Sequence, residues 1–282
     1  MLLDLVDVFG SVPMRGNPLA VVHGADTLSD AQMLELTQWI GFSETTFLLP
    51  PTDPAADYRV RIFYPGGEMA FAGHPTLGTC HAWLEAGGVA KNEGVVVQEC
   101  NVGLVDVRRD GDLLAFRAPP FTRYEPLTPA ELSAAAKVAG VREEQVVEGF
   151  HVANGPPWQM LRLGTAEEVL GAEHIAKAAP KTDIGLVGPH PSGSDMAWEV
   201  RAFFADERGA MKEDPVTGSF NAGVAMHLFG SGLALGSYLA GQGRKIGADG
   251  QVHCSRDAEG SVWIGGRTAT IARGAAVPIF SD

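Results

Sequence analysis

Polar and apolar residues alternate over Tyr58–Tyr64, where Arg59 and Arg61 separate Tyr58, Val60 and Ile62. A period of two predicts a strand with one buried face. Residues 5–9 and 19–23 read as shorter strands joined by a turn around Met14-Arg15-Gly16-Asn17-Pro18. Leu28-Ser29-Asp30 offers a helix start, and Leu34, Leu36 and Ile40 carry that helix towards Gly41. Phe42-Ser43-Glu44-Thr45-Thr46-Phe47 is a turn entering a β-type run, and residues 50–57 form a loop. The second half follows the same order, with a strand over 158–163, a helix over 166–178, strands over 183–188 and 200–204, and a helix over 214–229. The block 121–147, with Pro126 and Pro129 ahead of a helical stretch, marks the junction of an N-terminal lobe, 1–120, and a C-terminal lobe, 121–267.

The two halves also share residues. Arg61-Ile62-Phe63-Tyr64 recurs as Arg201-Ala202-Phe203-Phe204, an offset of 140 positions in a chain of 282. The same offset carries His74-Pro75-Thr76-Leu77-Gly78-Thr79 onto Asp214-Pro215-Val216-Thr217-Gly218-Ser219. Such a duplication predicts two similar lobes related by a pseudo-twofold axis, with a pocket between them flanked by two helix N-termini.

Asp followed by Pro suits an N-cap and the first helical position, since the carboxylate accepts from free N–H groups and proline needs no donor there. Asp214-Pro215 therefore predicts a helix start that leaves Gly218 and Ser219 in the first turn, with His74-Pro75 as the equivalent start. A helix N-terminus stabilises an anion by roughly 0.3–1 kcal/mol when exposed and up to ~2 kcal/mol when partly buried. Two such ends suit a small carboxylate, although an isolated Asp-Pro more often serves only as a structural cap. Glu44 has Ile184 at the 140 offset, so the repeat as aligned puts a carboxylate on one side only, as single-base chemistry would. In isolation a turn glutamate is more often solvated than catalytic. Facing Asp214 across a dry cleft, one of the two would have a raised pKa and could carry a proton.

Composition narrows the classes. Hydrophobic residues make up 45% and charged residues 20%, as in a globular chain. The net charge of −13 argues against nucleic acid and anionic membranes as partners. The N-terminal residues carry no basic segment followed by an apolar run, so no secretion signal is expected, and the location expected is cytoplasmic. Cys80, Cys100 and Cys254 are widely spaced and odd in number, which suits free thiols in a reducing compartment. No His, Cys and carboxylate spacing predicts a metal site. Gly241-Gln242-Gly243-Arg244-Lys245-Ile246-Gly247 lacks the G-x-G-x-x-G spacing of a dinucleotide loop.

Gly16-Asn17-Pro18-Leu19-Ala20-Val21-Val22, Ser43-Glu44-Thr45, Ala72-Gly73-His74-Pro75-Thr76-Leu77-Gly78 and Glu213-Asp214-Pro215-Val216-Thr217-Gly218-Ser219 together resemble the PhzF family of phenazine-biosynthesis isomerases. Gly241-Gln242-Gly243 and Val262-Trp263-Ile264-Gly265-Gly266 extend the resemblance along the whole chain. It implies an α+β, diaminopimelate-epimerase-like fold of two pseudo-symmetric lobes, each a curved, mostly antiparallel sheet around a central helix. It also implies that residues 268–282 return to the N-terminal lobe, that the protein is a homodimer, and that no cofactor or metal is used. By the same resemblance Glu44 is the general acid/base, His74 and Asp214 its partners, and Gly73, His74, Gly218 and Ser219 the substrate-carboxylate site. Asn17 is expected near the cleft. The reaction implied is isomerisation of trans-2,3-dihydro-3-hydroxyanthranilate, with a proton leaving C3 and one returned at C1.

Related epimerases use one cysteine per lobe. Neither Ala72-Gly73-His74 nor Glu213-Asp214-Pro215 contains one, which argues against two-thiol chemistry. Phe220 stands where many relatives have a small residue, and Ala248 where they often carry Arg. Two other readings compete with an isomerase. One is a racemase or epimerase using Glu44 with Asp214 or His74 as second base; the other is a carboxylate-binding or scaffold protein without turnover.

Overall fold

The structure, a computed structural model, describes residues 1–277. The chain divides into two compact units: Met1–Arg117 with the residues from Gly265 on, and Ala118–Ile264. The class is α+β, with five α-helices and eighteen strands among the described residues.

In the N-terminal unit β1 (Leu2–Val8) and β2 (Asn17–His23) pair antiparallel, Val8 opposite Asn17. The Asp7 carboxylate accepts the Gly16 N–H at 3.0 and 3.1 Å and the Arg15 N–H at 3.3 Å, so the turn closes at Gly16. Asn17 and Pro18, expected in the turn, are therefore already strand. Gly16 is required there, because a Cβ would lie 2.1 Å from the Val8 carbonyl oxygen. Helix α1 (Asp30–Ile40) opens with a reciprocal cap between Ser29 and Gln32 and stops at Gly41, whose φ is 76°. Next come β3 (Thr45–Leu49), parallel to β2, and β4 (Tyr58–Tyr64), antiparallel to β3. Strand β5 (Gly67–Met69) folds back on β4 and leads into α2 (Gly73–Glu85). Strand β6 (Val95–Cys100) runs parallel to β4, followed by antiparallel β7 (Gly103–Asp110) and β8 (Leu113–Arg117).

The C-terminal unit begins with β9 (Arg123–Pro126), α3 (Pro129–Ala139) and β10 (Val146–Ala153), and β10 pairs with β9. It continues through β11 (Gln159–Leu163), α4 (Ala166–Gly171), β12 (Asp183–Pro189), β13 (Trp198–Ala205) and β14 (Met211–Asp214). Helix α5 (Gly218–Gly230), β15 (Tyr238–Gln242), β16 (Gly250–Arg256) and β17 (Val262–Gly266) complete that stretch. Strand β18 (Thr268–Ala276) pairs antiparallel with β1 in the N-terminal unit, Val8 opposite Thr268. Residues 278–282, the end of the expected returning strand, lie outside the described residues.

The helix expected over 166–178 stops at Gly171. The Arg201 guanidinium donates to the Val169 and Ala172 carbonyls at 3.2 and 2.5 Å, taking acceptors a further turn would use. Beyond it the backbone turns to other partners, with the Ile175 N–H on the Val138 carbonyl and the Ala178 N–H on the Gly209 carbonyl.

The duplication is complete at the level of topology. The series β10–β11 antiparallel, β11–β12 parallel, β12–β13 and β13–β14 antiparallel, β13–β15 parallel, β15–β16 antiparallel repeats the series from β1 to β7. Helix α2 packs against β1, β2, β3, β6, β7, β8 and β18, which makes it the centre of its unit. Most of α2 and nearly all of α5 is buried, the mark of a helix enclosed on every side.

Structural equivalence departs from a uniform offset. Strands β4 and β13 match at 140, and in each the Arg guanidinium stacks over the Phe two residues on, 5.1 Å from Phe63 and 4.9 Å from Phe203. Ile62 pairs with Met69 but Ala202 with Asp214, so the β13–β14 hairpin is five residues longer than the β4–β5 hairpin and the central helices match at 145, Gly73 with Gly218 and His74 with Ser219. On β3 and β12 the shift has the other sign. Thr45 lies opposite Phe63 and Ile184 opposite Phe203, so the mate of Glu44 is Asp183, not Ile184.

Candidate functional site

Three of the five helices cap themselves. Ser29 with Gln32, Thr128 with Glu131 and Thr165 with Glu168 form reciprocal boxes at α1, α3 and α4. The central helices do not: Ala72 precedes α2 and Thr217 precedes α5, neither with a side-chain cap. A cap contributes about 1 kcal/mol. Its absence at these two N-termini leaves backbone donors of the first turn available to an anion.

The expected helix starts are corrected accordingly. Asp214 is the last residue of β14 rather than an N-cap, and Pro215 is not a first helical residue. The Asp214 carboxylate accepts the Thr217 hydroxyl at 2.5 Å, while the buried Gln242 amide accepts the Thr217 N–H at 3.0 Å and donates to the Asp214 carbonyl at 3.2 Å. Those bonds fix a connection that delays the helix to Gly218. In the N-terminal unit the helix begins at Gly73, with His74 in its first turn. Gly78 lies in the second turn, at the crossing with β1 and β2, where a Cβ would meet Leu19 at 2.5 Å.

In the N-terminal unit the structure brings Glu44 and His74 together. Glu44 Oε2 lies 3.5 Å from His74 Nδ1, longer than an ordinary hydrogen bond, and both side chains are mostly buried. Burial pushes the His74 pKa down to about 3, against a smaller upward pull from the Pro18 backbone. The imidazole is thus neutral at pH 7. Its Nε2 is buried without a hydrogen-bond partner among the described residues. Gly73 is buried at the start of α2, and Asn17 is fully buried on β2.

In the C-terminal unit Asp214, Gly218 and Ser219 are gathered around the α5 N-terminus, all buried. Two residues that the sequence reading missed set their chemistry. The Trp158 indole N–H donates to Ser219 Oγ at 3.0 Å, which occupies an acceptor site and leaves the hydroxyl proton free to donate. Asn154 donates to the Ser219 carbonyl at 3.1 Å. A lone Trp at a strand start reads as core, so only the preceding Asn154-Gly155-Pro156-Pro157 turn hinted at a fixed position. Phe220, noted above for its size, fills the space above Gly185, where a Cβ would sit 2.0 Å from its ring.

Cys80, Cys100 and Cys254 are free and buried, and burial pushes the Cys80 and Cys254 thiols up to about 12, which leaves them inert as bases at neutral pH. Among the described residues no three His, Cys, Asp or Glu side chains gather as a metal site would need, and no helix is long and apolar enough to cross a membrane.

Residues 6–274 match the phenazine biosynthesis-like protein family, PhzC-PhzF. The chain belongs to this family. It is 31% identical over 287 residues to antisense-enhancing sequence 1 of Schizosaccharomyces pombe, covering 95% of this chain and 96% of that one. It is 31% identical over 237 residues to the trans-2,3-dihydro-3-hydroxyanthranilate isomerase of Pseudomonas aeruginosa, covering 79% of this chain and 78% of the relative. The solved structure of a predicted epimerase from Pseudomonas aeruginosa superposes with a TM-score of 0.78 at 26% identity, covering 99% of each chain. The family and these relatives make the protein an isomerase of epimerase-like fold.

Proposed function

We propose that this protein isomerises a small cyclic or amino carboxylate by proton transfer through Glu44, without a cofactor, in the manner of a trans-2,3-dihydro-3-hydroxyanthranilate isomerase. The observation that carries the reading is the contrast in capping: three helices satisfy their own N-termini, while the two central ones keep donors for an anion. Beside the first stand Glu44 and a neutral His74, and in the first turn of the second is Ser219, a hydroxyl set to donate. Gly73, Gly218 and Ser219 hold the carboxylate, Glu44 takes the proton, and His74 and Asp214 position the substrate. A racemase with His74 as second base is disfavoured, because an imidazole this far depressed is a poor proton acceptor.

The test is turnover of trans-2,3-dihydro-3-hydroxyanthranilate in D₂O, followed by NMR. Wild type is expected to convert it with solvent deuterium in the product, and Glu44→Gln to slow conversion by about 10²–10⁴-fold. Equal turnover by the variant removes Glu44 from the role. No turnover by wild type removes this substrate.

A further inference from the structure

Helix α5 is preceded by a residue suited to cap it, and the cap is not made. Threonine is a favoured N-cap, and Thr128 and Thr165 serve in that way at α3 and α4. Thr217 holds the same position before α5, yet its side chain makes no capping bond. Two other bonds claim it. Gln242 Nε2 donates to Thr217 Oγ1 at 3.0 Å, and the hydroxyl donates its own proton to Asp214 Oδ2 at 2.5 Å.

Only one orientation of the Gln242 amide fits its surroundings. Its Oε1 accepts the Thr217 N–H at 3.0 Å and Asn221 Nδ2 at 2.8 Å, while its Nε2 also donates to the Asp214 carbonyl at 3.2 Å. A backbone N–H can only donate and a carbonyl can only accept, so exchanging the amide oxygen and nitrogen would spoil both contacts. Fully buried on β15, the amide spends all its donors and acceptors on Thr217, Asp214 and Asn221.

The N-terminal unit shows that the fold does not require this network. By register Met69 stands where Asp214 does and Cys100 where Gln242 does, and Ala72 precedes α2 as Thr217 precedes α5. Cys100 turns to its own hairpin, with Sγ 3.6 Å from the Gly103 carbonyl oxygen. Helix α2 is uncapped because alanine has nothing to cap with; α5 is uncapped because its threonine is held away. Two polar groups beside the first turn of α5 are left unspent among the described residues. Ser219, 5% exposed, accepts from Trp158 and donates to no other group, and the buried Asn154 Oδ1 has no partner.

We propose that Gln242 is a positioning residue of the α5 anion site, on the reading above that α5 receives the substrate carboxylate. By withholding the Thr217 hydroxyl it keeps the first-turn N–H groups open to that carboxylate. A cap and an anion compete for the same donors, so losing the restraint costs affinity even though the helix gains a bond.

The experiment titrates the ¹⁵N-labelled full chain with anthranilate and follows the Gly218 and Ser219 amides. Gln242→Met removes the amide at similar length. It is expected to weaken anthranilate about fivefold, the worth of a typical cap, while the Phe220 amide gains protection from exchange. Adding Thr217→Val, which leaves no hydroxyl to cap with, is expected to return the affinity to the wild-type range. A merely structural glutamine predicts the opposite. A double variant as weak as Gln242→Met or weaker overturns the proposal, as does Gln242→Met binding at wild-type strength; both leave the anion site standing. Thr217→Val alone, which does not depend on Gln242→Met folding, is expected to bind at wild-type strength. Weaker binding by that variant overturns the proposal, because the hydroxyl would then belong to the site. Wild-type amides that ignore anthranilate overturn the anion site and the proposal with it.

Discussion

At the residue scale, burial decides what His74 can do. The folded pKa, about 3, lies below the ordinary histidine value near 6.5, so the folded state refuses a proton that the unfolded chain accepts. The sign follows: stability is fully present above pH ~6.5 and is lost as pH falls towards the folded value, by up to about 1.4 kcal/mol per pH unit. Denaturant unfolding at pH 7, 5 and 4 should therefore show a steeper acid loss for wild type than for His74→Gln, with no such difference between pH 7 and 8. Parallel losses would mean that His74 is protonated in the fold. Glu44 and His74, which lie 3.5 Å apart, could be singled out in the sequence because short motifs contain them. The structural mate of Glu44, Asp183, is hidden, because a uniform offset of 140 slips β12 by one residue and puts Ile184 in its place. In a strand such a slip exchanges the two faces.

At the element scale, the strands β1 to β4, β11, β12 and β13 and the starts of the self-capped helices were readable, since alternation and caps are local, whereas β6 to β8, β10 and β15 to β17 were not. Helix α4 was read too long, because what ends it is Arg201, far along the chain. The start of α5 was misplaced for a similar reason. Asp-Pro is a good local helix signal, yet Gln242 from β15 holds the preceding turn open by bonding Thr217 and Asp214, and takes the Asn221 amide at 2.8 Å as well. A matching buried glutamine, Gln98 on β6, donates to Thr76 of α2 at 3.0 Å, so both central helices are fastened from the strand that follows them. The fit of α5 on β12 is equally strict. Gly185→Ala would place a methyl group 2.0 Å from the Phe220 ring, which is fully buried and also packs on Trp158 at 5.2 Å between centroids. Overpacking of this kind costs about 1–3 kcal/mol. Thermal and urea unfolding should register that loss, and Phe220→Leu should recover part of it in the double variant. Independent, additive losses would show that the two side chains do not compete for the same space.

At the scale of the whole molecule, the chain is a duplicated unit with its last strand exchanged back to the beginning. The sequence repeat showed the duplication over a dozen positions; the pairing order extends it to seven strands of each half, β1 to β7 and β10 to β16, most of which share no residue identity. The return of β18 could not be read from the repeat, because its equivalent, β9, pairs with β10 before the second half begins. That strand is bound by more than its ladder. The Phe9 N–H donates to the Arg267 carbonyl at 2.7 Å and the Gly274 N–H to Asp4 Oδ1 at 2.7 Å, while His81 of α2 is held between Thr268 and Thr270 at 2.9 and 2.8 Å. Ending the chain after Arg267 would strip β1 of one ladder and leave Asp4 and His81 without these partners. Asp4 would keep His23 at 2.9 Å, but each backbone group of β1 left buried without its ladder partner costs about 1–3 kcal/mol, a large fraction of the stability of a typical domain. The truncated chain is therefore expected to lose amide protection throughout β1, β2 and α2, while β10 to β13, which make no bond to β18, keep theirs. Hydrogen exchange read by mass spectrometry distinguishes this from the alternative. Uniform loss in both units would show that they unfold as one, and unchanged protection would show that β18 only decorates the sheet.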